Sequence, residues 1–230
     1  MTGKRAEAAI RKNGLRVLYE DNHCVAVFKP AGLLTIGDRT GDLSLVDLVR
    51  DDLRNRYSKP GNVFVGVVHR LDRPVAGVVL FARTSKAAAR LAKQFREGRV
   101  TKVYRALVEG RVATPEGMLI DRLVKDRQTN IVRRVASPNQ KSRESSLTFR
   151  RLKMQRDTTL LEVEPRTGRS HQIRVQLAGA GHPIVGDRKY GSQRSFPGGI
   201  ALQAVRLIFE HPVRKVPVTV EAAAEWPSLP

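Results

Sequence analysis

The segment His69-Arg70-Leu71-Asp72-Arg73 sets one carboxylate between two guanidinium groups and an imidazole. Cations at that distance favour the charged form of Asp72 and hold it ionised at neutral pH. An ionised, positioned carboxylate can act as a nucleophile or as a general base. The same pattern also fits a structural salt-bridge cluster at the end of a strand, and spacing alone does not separate the two.

A second constellation is Thr167-Gly168-Arg169-Ser170-His171-Gln172-Ile173-Arg174. As a helix over 169–178 it would bring His171 and Arg174 (i, i+3) and Ser170 and Arg174 (i, i+4) to one polar face. With the unpaired N–H groups of the helix start, that face could hold a phosphate or orient a carboxylate from another loop. An amphipathic helix with a wet basic face has the same pattern. A third feature is Lys102-Val103-Tyr104-Arg105, an aromatic ring among cations in a chain that is 5% aromatic. Such a ring suits stacking on an RNA base, although a strand tyrosine also serves in a core or at its rim.

These residues need a frame to hold them. The runs 17–19 and 24–28 flank Glu20-Asp21-Asn22-His23, which predicts a hairpin. Lys29-Pro30-Ala31-Gly32 ends its second strand, because proline cannot continue a central ladder. A helix is expected over 44–56, with Leu45, Leu48, Val49 and Leu53 on one face. Two β-type runs, 63–68 and 78–81, enclose the Asp72 loop, and flanking strands are what hold such a loop still. Ser85 opens a further helix, with Ala88, Leu91, Ala92 and Phe95 on one face and Gly98 as its stop. Strand runs follow at 103–109, 147–152, 159–163, 201–209 and 216–220, with an exposed hairpin or loop at 124–138. Strands dominate without regular βαβ alternation, so the expected class is α+β with a largely antiparallel sheet.

Composition narrows the partner. The 230 residues carry 42 Lys and Arg against 22 Asp and Glu, a formal net charge of +20. A basic surface of that size in an enzyme-sized chain points to a polyanion, nucleic acid before membrane. No run approaches the ~20 apolar residues of a membrane span, and the basic start is unlike a secretory signal. Cys24 is the single cysteine, which excludes an intrachain disulfide and leaves a cysteine-based zinc site short of ligands. The cytoplasm is the expected compartment. Residues 1–14 are expected to be a flexible basic leader and 15–230 the catalytic domain.

Taken in order, these segments resemble the RluA family of pseudouridine synthases, in its single-domain form without an S4 domain. His-Arg-Leu-Asp-Arg is complete at His69 to Arg73, with the family's glycine at Gly77. Its Lys-Pro-x-Gly turn lies at Lys29 to Gly32, and Lys-x-Tyr at Lys102 and Tyr104. Gly-Arg-Ser-His-Gln-Ile-Arg runs from Gly168 to Arg174, followed by Gly181-His182-Pro183-Ile184-Val185-Gly186-Asp187 and Tyr190-Gly191. The likeness extends from about residue 15 to about residue 217. Departures are Val75-Ala76 where Thr-Ser is frequent, and Gln176 and Gln203 where histidines are.

The resemblance implies the pseudouridine synthase fold with a central RNA-binding cleft. It implies isomerisation of uridines in ribosomal or transfer RNA without cofactor or metal, by a chain that is a monomer by default. Asp72 would be the essential aspartate, Arg174 its partner, and Tyr104 the ring packed against uracil. Arg70 would fill the place of the flipped base. His69, Arg73, Lys29, Lys102, Arg169, His171 and Leu202 would bind substrate. Attack at C1′, attack on the ring and removal of the C2′ proton all require the ionised aspartate. The rival is a non-catalytic RNA-binding or ribosome-assembly protein on the same fold. A zinc deaminase lacks its ligands here, and a DNA glycosylase would differ by releasing free base.

Overall fold

The computed structural model describes residues 7, 8, 10, 13–38, 40–58, 60–137 and 140–224. Of the expected leader, residues 1–6, 9, 11 and 12 lie outside the described residues. The chain divides into two compact units, Met1–Thr101 with Ala204–Ala223, and Lys102–Gln203 with Ala224–Pro230.

In the first unit the predicted hairpin is β1 (Val17–Glu20) and β2 (Cys24–Lys29). Strand β2 pairs antiparallel with β4 (Ala76–Ala82), whose other partners are the short β3 (Gly66–Val67) and β10 (Leu202–Glu210). Strand β11 (Pro217–Glu221) pairs with β10. Residues 24–27 and 78–82 are almost wholly buried at every position. A strand covered on both faces has no polar side, so these stretches read as unbroken apolar runs.

Helix α1 (Leu45–Arg56) buries Leu45, Leu48, Val49 and Leu53, the face its spacing predicted, together with Val46. The Asp47 carboxylate accepts from both the N–H and the hydroxyl of Ser44, closing the helix start. Helix α2 (Ser85–Arg96) starts on Thr84, whose side chain accepts from Ala87 N, and ends before Gly98 at φ 68°. Its buried face is Ala87, Leu91 and Gln94, with Ala88 and Phe95 only partly covered. Gln94 is buried without cost because its amide answers both backbone groups of Glu210: Nε2 donates to the carbonyl and Oε1 accepts the N–H.

The run 63–68 is a strand only at Gly66–Val67. A Cβ at Gly66 would lie 2.9 Å from Cβ of Ala88, so α2 crosses close to this backbone.

The second unit is an antiparallel sheet in the order β5 (Thr101–Glu109), β9 (Thr158–Pro165), β8 (Arg143–Met154), β6 (Glu116–Asp126), β7 (Ile131–Val135). The expected hairpin over 124–138 is β6–β7, with Lys125, Arg127, Arg133 and Arg134 exposed. Pro138 lies outside the described residues. Leu123, Val132 and Val175 form a small core, with Tyr190 packed on it.

Helix α3 is Gln172–Gly179, three residues shorter at its start than expected. His171 has φ 52°, a left-handed backbone that cannot continue a helix. Nor is α3 amphipathic: Gln172 to Leu177 are all buried, Arg174 among them. The predicted polar face of Ser170, His171 and Arg174 is therefore not formed.

Candidate active site

Asp72 is half-buried on the loop between β3 and β4, and the residues on either side of it are pinned. The Thr35 hydroxyl donates to Leu71 O at 2.9 Å and accepts the Leu71 N–H at 3.2 Å. After Asp72, the Arg73 carbonyl accepts from Gly32 N at 2.7 Å and Lys29 Nζ at 3.1 Å. The Asp72 carbonyl accepts the Val75 N–H at 3.0 Å, closing a turn. The loop returns to the sheet at Gly77, where φ is +126° and a Cβ would sit 2.2 Å from Ala204 O. Only glycine fits that approach.

Lys29 is fully buried, and Nζ donates to the carbonyls of Pro30, Leu33 and Arg73. Burial pushes its pKa down to about 7, against the pull of the Asp72 carboxylate; Arg73 pushes the same way as burial. Expected to bind substrate, Lys29 instead spends its protons on the turn that carries the loop. Arg73 stays partly exposed but is also committed, with Nε on Gly32 O and Nη2 on Asp42 at 2.6 Å. His69 stacks on Phe95 at 4.6 Å between centroids, and Nε2 accepts the Leu80 N–H at 2.9 Å. These three expected substrate contacts thus do internal work that shapes the loop. Arg70 differs from them. Its side chain is exposed, and it has no hydrogen bond or ion pair among the described residues.

In the second unit Arg174 is buried and gripped by Asp187, Nε to Oδ2 at 2.7 Å and Nη2 to Oδ1 at 2.9 Å. The guanidinium carbon lies 5.0 Å from the centre of the Tyr190 ring. The Tyr190 hydroxyl accepts the Val132 N–H at 3.1 Å and is 2.7 Å from Nδ1 of His171. His171, another expected substrate contact, is 9% exposed and belongs to this buried network. Tyr104 is half-buried on β5 opposite Val163. Lys102 reaches the Thr167 carbonyl at 3.4 Å, and burial lowers its pKa. Arg169 is exposed, and its Nε donates to Glu144 O. Leu202 is 3% exposed, a core position rather than an open contact.

Asp187 and Tyr190 are the members that residue-type reasoning passed over. Both lay in plain view in the Gly181-to-Gly191 motif, but nothing in the spacing links them to Arg174. Gln176 is fully buried with Nε2 on Leu119 O, Ser145 O and the Asp121 carboxylate.

Asp21, Cys24 and His211 are the group of possible metal ligands brought together among the described residues. Their atoms are already committed. His211 Nε2 meets Asp21 Oδ2 at 2.6 Å, while Nδ1 accepts the N–H groups of Val213 and Arg214. Burial pushes the Cys24 thiol up to about 12, so the sulfur stays protonated. Burial would raise Asp21 too, but the amides of His23 and Cys24, the Tyr19 hydroxyl and His211 together hold it low. The cluster ties the β1–β2 turn to the segment after β10.

Comparison with known proteins gives the class. The sequence profile of the RNA pseudouridylate synthase family matches residues 23–179. The dual-specificity RNA pseudouridine synthase RluA of Vibrio vulnificus (strain CMCP6) is 34% identical over 201 residues, covering 85% of this chain and 78% of the relative. Ribosomal large subunit pseudouridine synthase C of Buchnera aphidicola subsp. Schizaphis graminum is 34% identical over 184 residues, and the chain covers 56% of that relative. The solved structure of human RNA pseudouridylate synthase domain containing 4 superposes with a TM-score of 0.77 at 21% identity, covering 98% of this chain and 92% of that one. The fold is that of a pseudouridine synthase, α+β with a mostly antiparallel sheet. The chain belongs to the RNA pseudouridylate synthase family, whose enzymes are isomerases. Among the described residues no helix is long and apolar enough to cross a membrane.

Proposed function

We propose that this chain isomerises specific uridines of structured ribosomal or transfer RNA to pseudouridine, with Asp72 as the catalytic carboxylate. The observation that carries this is the pinning of the Asp72 loop on both sides, by Thr35 at Leu71 and by Gly32 and Lys29 at Arg73. A carboxylate held that way meets the demand of a reaction in which small misplacements are costly. Arg70, two residues earlier, is exposed and unpaired among the described residues, which supports a role in filling the place the target base leaves. Flipping costs a few kcal/mol, which an inserted side chain offsets.

The reaction breaks the N1–C1′ bond, turns the uracil, and rejoins it through C5. Nothing is oxidised and no group is added, so neither metal nor cofactor is called for. Asp72 acts as the carboxylate, with Arg174 as its partner in the reaction and Tyr104 packed against the ring that turns. The reaction demands that the detached base be kept at high effective concentration beside the sugar, with water excluded. The exposed cations of the β6–β7 hairpin, Lys125, Arg127, Arg133 and Arg134, supply sequence-independent attraction to phosphates. Residues 15–230 form the catalytic domain behind a basic leader at 1–14, working as a cytoplasmic monomer.

The test is incubation with ribosomal and transfer RNA tritiated at C5 of uridine. Tritium release without free uracil is expected. Release of free uracil would make the chain a glycosylase. RNA binding without tritium release from either RNA would make it a binding protein on an enzyme's fold.

A further inference from the structure

We propose that Asp187 is a positioning residue for the isomerisation, acting through Arg174; this rests on the role given to Arg174 above. The two side chains come from different elements. Arg174 is in the first turn of α3, and Asp187 precedes the 3-10 turn Arg188–Tyr190. They meet in two parallel bonds of 2.7 and 2.9 Å with side-chain exposures of 5% and 1%.

Asp187 is fixed before it meets the arginine. Its N–H donates to Ile184 O at 2.9 Å, and its carbonyl accepts from Tyr190 N at 3.0 Å and Ser192 N at 3.1 Å. Gly186 N donates to Ser192 Oγ at 2.9 Å, and that hydroxyl in turn reaches the Glu109 carboxylate at 2.5 Å. The turn is thereby fastened to β5, and the carboxylate is presented at a fixed angle.

Two surfaces of the guanidinium are then spoken for. Asp187 takes the Nε–Nη2 edge, and Tyr190 lies against a face with its hydroxyl anchored at His171 and Val132. A free arginine samples many rotamers, and its fork is useful only when it is aimed. Held in this way, any second anion must approach the guanidinium through its Nη1 end. The direction from which Arg174 acts is therefore set by Asp187 before substrate arrives.

Stability alone is a poor reason for such a pair. A buried ion pair is commonly replaceable by apolar side chains at no loss, whereas removing one partner strands a charge. A bidentate pair on preordered backbone is instead the arrangement that specifies geometry.

The test uses Asp187→Asn, which keeps the volume and removes the charge. Single-turnover rate and RNA affinity are measured for the wild type, this variant, Arg174→Ala and the double variant. The expected result is a rate lower by about 100-fold, the scale of a 1 Å misplacement, with RNA affinity unchanged. In the Arg174→Ala background the second substitution should cost nothing further, because Asp187 has no one left to position. An unaltered rate, or equal losses in both backgrounds, would overturn the inference while leaving the function intact. If Asp187→Asn melts at the assay temperature, Asp187→Glu replaces it: the charge is kept and the guanidinium displaced by one methylene. A folded Asp187→Glu with full turnover would overturn the inference equally. No turnover by the wild type on any RNA would instead overturn the function, and this inference with it.

Discussion

Lys29 Nζ donates to the carbonyl of Arg73 at 3.1 Å, so a fully buried amino group holds the peptide that follows Arg73, next to Asp72. Its other two bonds, to Pro30 O and Leu33 O, fold the 30–33 turn around the same nitrogen. One side chain thus ties the end of β2 to the loop that carries the acid. That accounts for a lysine at a position where a surface cation could do nothing comparable.

Burying this amino group has a pH signature. The folded pKa is about 7 against an ordinary value of 10.5, with burial as the main cause. Between those values the unfolded chain binds the proton and the folded chain does not. The unfolding free energy contributed by this group therefore rises with pH from about 7 to about 10.5, and the gain is absent below 7. Unfolding measured across that range should rise more steeply for the wild type than for Lys29→Met. Parallel curves would contradict the assignment.

Thr35→Val keeps the shape and removes the hydroxyl that answers both backbone groups of Leu71. Two buried groups then lack a partner, at a cost of about 1–3 kcal/mol in denaturant unfolding. Turnover should fall with RNA affinity unchanged, since the loop and not the surface is loosened. Loss of affinity with normal turnover would argue against it.

Gly77→Ala meets the Ala204 backbone at 2.2 Å in a region of φ that alanine avoids. The expected loss is about 3 kcal/mol or more, or failure to fold, read from thermal melting. A stable, active variant would show that the sheet gives way there.

Much of this was legible in the sequence, and the exceptions have particular causes. The strands 24–29 and 76–82 and the face of α1 follow from apolar runs and spacing, because their burial is nearly complete. Helix α3 began late because one residue, His171, adopts a left-handed backbone that no propensity for histidine announces. The ordered motifs located the Asp72 loop, but they did not separate side chains that would face RNA from those that brace the loop. Lys29, Arg73 and His69 look like a basic substrate patch in sequence, yet Lys29 is buried on backbone carbonyls, His69 stacks on Phe95, and the partly exposed Arg73 is paired with Gly32 O and Asp42. Asp187 went unassigned because its partner lies 13 residues away across a turn, and only the folded chain brings them together.

Arg70 is exposed and unpaired among the described residues, so its removal should disturb little of the fold. Arg70→Ala is expected to melt as the wild type does, within about 0.5 kcal/mol. Its single-turnover rate should fall, because the flipped base loses its replacement. An unchanged rate would show that the arginine does not enter the RNA.

The most direct measurement is tritium release from uridine-C5-labelled ribosomal and transfer RNA by the wild type and Asp72→Asn, with RNA affinity measured alongside. The account predicts release by the wild type, none by the variant, and equal affinity for both. Full release by Asp72→Asn would contradict it, because the reaction would then proceed without the carboxylate that the loop is built to hold.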